Sequence, residues 1–114
     1  MLRRPLLLLL FLTGCSKGPE ADLEYISSAR SLAAEWALVN EQASEGHLTS
    51  AYVKTMRQSV REQLQTNAKS LTQPQSDYGS EIAAVLREPD DADPAALRAH
   101  ASKLKQIEDH LESA

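Results

Sequence analysis

One cysteine, Cys15, stands in 114 residues. That single thiol excludes an internal disulfide and a site built from several Cys ligands. Histidine is nearly as scarce. His47, His100 and His110 form no H-x₃-H and no C-x-x-C-H, so cofactor binding has no motif behind it. The chain has four glycines, two of them Gly14 and Gly18 near the start, and no phosphate-cradling glycine loop. There is no G-x-S-x-G, and the plentiful serines form no arguable Ser-His-Asp arrangement. Aromatic residues make up 4% of the chain, and no alternating run of β-branched and aromatic residues exists. With no Asn-Gly turn either, β structure has no signal. Net charge is −4, which together with the shortage of aromatics argues against nucleic acid.

What is present begins with a leader. Arg3 and Arg4 precede an apolar run from Leu6 to Leu12. Seven residues cannot span a bilayer, which takes about 20. Charge, apolar run and small residues come in export order, so 1–14 reads as a signal peptide rather than a short buried helix. The run ends in Leu12-Thr13-Gly14-Cys15. This resembles the lipobox of bacterial lipoprotein precursors: a branched apolar residue, two small ones, then an obligatory Cys. The resemblance covers only the first 15 to 17 residues. It implies a diacylglycerol on the Cys15 thiol, cleavage before Cys15, and an acyl chain on the new amino group. Ser16-Lys17 lacks the Asp after Cys that retains such proteins in the inner membrane of enteric-type bacteria. The resemblance thus favours the outer membrane, facing the periplasm, where a cell has two membranes. One acyl chain holds only marginally, whereas two or three on one residue hold firmly.

Residues 15–20 then read as the lipidated Cys and a short tether. Five residues reach at most about 18 Å, which keeps 21–114, the helical domain, close to the bilayer. Without Arg3 and Arg4 the chain has 10 basic and 16 acidic residues, net −6. From Cys15 onward, Leu, Ile and Val make up 17 of 100 residues and Phe is absent, while Ala numbers 16. A thin, Ala-rich core follows, marginal when alone.

Periodicity predicts helices over Ala21–Glu45, Ser50–Leu71, Ser76–Glu88 and from Asp93-Pro94 onward. In the first, Ile26, Ala29, Leu32, Ala33, Trp36 and Ala37 share one arc, and Leu38 falls on the polar side. Gly46 stops it. Thr72 to Gln75, with Pro74, breaks the second, whose stripe is Val53, Met56, Val60, Leu64 and Leu71. Asp93 caps the fourth, with Pro94 at its first position. The fold class is all-α: a small bundle of three to four amphipathic helices, either up-and-down or a long hairpin plus two shorter helices. The first helix is strongly acidic and the second basic. Opposite charge on flanking positions predicts that these two pair.

Four features are candidates for chemistry. His100 lies in the apolar stripe of the fourth helix. It reads as a partly buried His bonded to a carbonyl or carboxylate, or else as a metal or haem ligand or general base. Asn40 and Asn67 fall among apolar positions, either wetted at the edge or buried to fix register. Lys54, Arg57 and Arg61 stack on one flank, to pair with the acidic first helix or to touch a partner or anionic lipid. Trp36 with Tyr25 reads as core or as a binding platform. No resident cofactor and no metal is expected, beyond the diacylglycerol and acyl groups on Cys15. The functional expectation is a non-enzymatic, lipid-anchored envelope lipoprotein, acting as a protein-interaction or structural module. It would meet the membrane through its lipid and bind a protein partner or itself. The alternative is an immunity, inhibitor or exclusion lipoprotein.

Overall fold

A computed structural model describes residues 18–113. The leader, Cys15 and the rest of the lipobox lie outside the described residues. Four helices occupy them: α1 (Pro19–Ser44), α2 (Ser50–Ser70), α3 (Asp77–Leu86) and α4 (Pro94–Glu112).

Local chemistry sets the boundaries. α1 opens on Gly18 with Pro19 at its first position, where a missing N–H costs nothing. It therefore begins two residues before the expected Ala21, and Pro19 and Glu20 belong to the helix rather than to the tether. Its far end is a Schellman turn. The Gly46 N–H bonds the Ala43 carbonyl at 3.1 Å and the His47 N–H bonds that of Gln42 at 3.0 Å. That turn requires Gly46 at φ 77°, a conformation other side chains rarely adopt. The hydroxyl of Thr49 caps α2, that of Ser76 caps α3 and the carboxylate of Asp93 caps α4, each accepting a first-turn N–H.

The helices run up, down, up and down. Asn40 meets Arg57 and Ser28 meets Asn67, so α1 and α2 are antiparallel. Arg30 meets Glu108 and Glu41 meets Arg98, so α1 and α4 are antiparallel too. Each helix packs against its neighbours in sequence and α4 closes back onto α1, while α2 and α4 do not touch. This is the cyclic order of a four-helix bundle. α1 has its broadest interface with α4, which at 19 residues nearly matches the 21 of α2. Only α3, with 10 residues, is short. The up-and-down bundle thus holds over a dominant α1–α2 hairpin.

The core is thin, as its composition predicts. Ile26, Ala29, Ala33, Trp36 and Ala37 of α1 meet Val60 and Leu64, Tyr78, Ile82 and Val85, and Leu97 and Leu104. Ala29, Ala33 and Ala37 are wholly buried, and their small side chains let neighbouring backbones approach. Leu38 is 51% exposed, on the polar side as expected. Gly79 is the tightest point: a Cβ there would overlap the Pro74 carbonyl. The obstructing carbonyl is backbone and cannot swing aside, so Gly79→Ala is expected to cost about 3 kcal/mol through displacement of the α2–α3 turn. Urea unfolding of the two proteins checks this, and an unchanged midpoint would show that the turn yields freely.

Candidate functional site

The short α3 leaves a corner of the bundle open. α3 rises only about 15 Å against about 39 Å for α1. It starts beside Asp22, where Tyr78 donates to that carboxylate at 2.7 Å. It ends where Arg61 Nη1 reaches the Leu86 carbonyl at 2.8 Å. Above that level residues 87–93 cross back over α1, and α2 continues without a neighbour on that side. The gap is a cleft of about 530 Å³. Ala43, Leu48 and Val53 give it apolar surface, and Lys54, Arg57 and Arg61 make one side cationic.

These three cations are held very differently. Arg61 Nη2 donates to the Glu88 carbonyl at 3.0 Å and to Asp90 Oδ1 at 2.9 Å. Its Cζ stands 4.8 Å from the centroid of the Trp36 ring, a cation–π distance. Arg57 donates through Nε to Asn40 Oδ1 at 2.9 Å. Its two terminal nitrogens bond nothing among the described residues. Lys54 is exposed and likewise bonds nothing among them.

The expected pairing of this flank with the acidic first helix does not occur. Among the described residues no ion pair joins α1 to α2. Glu41 turns to Arg98 of α4, and the one cation of α1 in such a pair, Arg30, holds Glu108 at 2.8 Å. α2 presents its cations toward the open corner instead, because the flank that meets α1 carries Val53, Val60, Leu64 and Asn67.

Buried polar groups fix the walls. Asn40 is 4% exposed and not wetted at an edge. Its Nδ2 donates to the carbonyls of Asp90 at 3.1 Å and Ala92 at 2.8 Å while its Oδ1 orients Arg57. Trp36 Nε1 donates to the Asp90 carbonyl at 3.0 Å. Trp36 is thus core, with its polar edge holding the loop. Tyr25 is only half-buried at the core's margin. Asn67 is buried as well and donates to Ser28 Oγ at 3.0 Å. Both asparagines are therefore buried and bonded.

Asp22 is the hub at the opposite end. It is wholly buried and accepts from the Thr72 N–H and hydroxyl, the Gln73 N–H and the Tyr78 hydroxyl, at 2.7 to 3.2 Å. Burial pushes its pKa up, but these four donors outweigh that and hold it below the usual 3.8. Burial and the bond to Asp22 push Tyr78 up to about 12. The sequence did carry a signal for this hub: Asp22 lies four residues before Ile26, on the buried arc of α1. Glu108, four residues after Leu104, follows the same rule.

His100 bonds two carboxylates, Glu81 at 2.6 Å through Nδ1 and Glu88 at 2.7 Å through Nε2. With both acids ionised, only the imidazolium donates from both nitrogens. Burial pulls the pKa of His100 down. The two hydrogen bonds and the two negative charges outweigh it and raise the pKa above 6.5. Both ring nitrogens are committed, and no group of three His, Cys, Asp or Glu among the described residues is placed to hold a metal. A raised folded pKa contributes stability in full below the unfolded value and loses it as pH rises through the folded one. The urea midpoint is therefore expected to fall as pH rises from the ordinary histidine value of 6.5 through the raised folded one, and His100→Gln to flatten that fall. An identical slope in the variant would remove His100 from the balance.

No protein-family model, curated protein or solved structure matches this chain.

Proposed function

We propose that the chain is a lipid-anchored envelope lipoprotein whose helical bundle is a non-enzymatic interaction module. The observation that carries this is Leu12-Thr13-Gly14-Cys15 after a charged and apolar leader, with α1 starting at Pro19. Only Ser16, Lys17 and Gly18 separate Cys15 from that helix. Three residues reach about 10 Å, so the Asp22 end of the bundle would stand next to the bilayer. No helix among the described residues is long and apolar enough to cross a membrane, so attachment would rest on the lipid.

The same geometry refines the role of Lys54, Arg57 and Arg61. Asn40 lies 21 residues along α1 from its start, about 32 Å from the anchored end, and Arg57 is level with it. A cleft at that height stands clear of the surface and fits a protein neighbour better than a headgroup of its own bilayer. On this reading Cys15→Ala abolishes incorporation of labelled fatty acid and leaves uncut precursor. A variant that is still labelled and processed would overturn the anchor.

A further inference from the structure

We propose that the cleft is filled by the outer face of α1 from a second copy of this chain, so that neighbouring bundles join head to tail. The proposal rests on the anchored-module reading and names the module's partner.

The outer face of α1 and the cleft are complementary. Glu24, Glu35 and Glu45 lie along the face opposite the core, together with the exposed Leu38. Helical spacing places all four within one 80° arc that contains no cation. Glu24 and Glu35 bond nothing among the described residues. The cleft supplies the converse: Lys54 and the terminal nitrogens of Arg57, without partners among the described residues, beside apolar Leu48 and Val53, its one acid, Asp90, being held by Arg61. Glu24 and Glu35 of the first helix and Lys54 and Arg57 of the second thus meet no opposite charge among the described residues, while Glu45 stands 3.4 Å from His47. The two sets cannot meet within one chain, because the α1 face points away from the bundle and the cleft opens at the α3 corner.

Heights also agree. Taking 1.5 Å per residue from Pro19, Glu35, Leu38 and Glu45 stand at about 24, 29 and 39 Å. The antiparallel register of Asn40 with Arg57 puts Arg61, Arg57 and Lys54 at about 26, 32 and 36 Å. Two bundles upright on one surface therefore bring Glu35 level with Arg61, Leu38 close to the level of Arg57 and Glu45 close to that of Lys54 without either tilting. Tethers of equal length would set that common height.

The interface is heterologous, with a different patch on each partner, so it extends into rows rather than closing as a two-fold dimer. Each exposed ion pair contributes under about 1 kcal/mol, so association in free solution is weak. Confinement to a surface raises the effective concentration and makes weak pairing sufficient.

The test places a photoactivatable side chain at position 38 of the full-length chain, in cells carrying two differently tagged copies. The expected product joins both tags, through residues 53–61 of the second copy. Lys54→Glu is expected to reduce it about tenfold or more, since like charges then face each other. Glu45→Lys on the same chain restores it. Both positions are exposed, so neither substitution is expected to unfold the bundle. A product with another protein, no product, or a product indifferent to Lys54→Glu overturns the proposal. Acyl mass on Cys15 is read on the same material. Lipid without the copy-to-copy product overturns the association and leaves the anchor. The product without lipid overturns the anchor and leaves the association.

Discussion

Asp22→Ala is expected to destabilise the bundle by about 3 kcal/mol, lowering the urea midpoint by about 2 M. The substitution removes one small side chain, but it strands three groups. The Tyr78 hydroxyl is buried and loses its 2.7 Å acceptor. The N–H groups of Thr72 and Gln73, just past the end of α2, lose theirs at 2.9 and 3.2 Å. Each unsatisfied buried donor costs about 1–3 kcal/mol, and the half-open position of the turn lets water relieve part of that. Domains of this size have about 5–15 kcal/mol in total, so one residue carries a large share. The pH dependence follows in sign. The folded pKa is depressed, so the stabilisation is present above the ordinary value of 3.8 and is lost as pH falls through the folded one. The variant is therefore expected to lose less stability in acid than the parent. Tyr78→Phe, which removes one donor and leaves the carboxylate three, is expected to cost about 1 kcal/mol. Equal midpoints for Asp22→Ala and the parent would show that the carboxylate is not the hub described.

Trp36→Ala is expected to cost about 4 kcal/mol and to lower the melting temperature by about 20 °C. The indole is 1% exposed and is the largest wholly buried side chain. With a thin core, no neighbour is large enough to fill the void. Two further losses follow from the geometry. Arg61 loses the ring face it lies over, and the Asp90 carbonyl loses its indole donor. The loop 87–93 would then hang on Asn40, Arg61 and the His100–Glu88 bond, so the cleft wall should loosen before the helices do. Hydrogen exchange of the Ala92 N–H, bonded to the Pro89 carbonyl at 3.0 Å, is the local readout. Trp36→Phe keeps most of the volume and loses the 3.0 Å bond, and is expected to cost about 1–2 kcal/mol. A Phe variant as unstable as the Ala variant would show that the bond, not the volume, holds this site.

Features written into adjacent residues were legible in the sequence. Gly46, Ser76, Asp93 and Pro94 mark helix ends because capping depends on a few neighbouring residues. The stripes of α1 and α4 were legible because burial repeats with the helical period. Partner choice was not. Asp22 meets Thr72, Arg30 meets Glu108 and Asn40 meets Asp90 across 50 to 78 residues, and no local pattern records which loop arrives where. Charge was the instructive case. The acidic α1 and basic α2 do pack together, yet no ion pair joins them among the described residues: Arg57 bonds the Asn40 amide and Arg61 lies over Trp36. Counting charges per helix cannot separate those outcomes, because it ignores where on the helix each one sits. Polar residues on an apolar arc carried more information than the charge totals. Asp22, Asn40, Asn67 and Glu108 each sit on such an arc, and each is buried and bonded.

The cleft was half legible. Lys54, Arg57 and Arg61 recur on one flank at helical spacing. That they line an opening depends on α3 ending at Leu86, two residues before the expected Glu88, and on the loop crossing to Trp36 and Asn40.

The proposed function turns on the chemical state of Cys15, and mass spectrometry of the N-terminal peptide from cell-derived protein reads that state directly. The expected result is a chain that begins at Cys15, with diacylglycerol on the sulfur. A chain that begins at Met1, or one with a free Cys15 thiol, would contradict it.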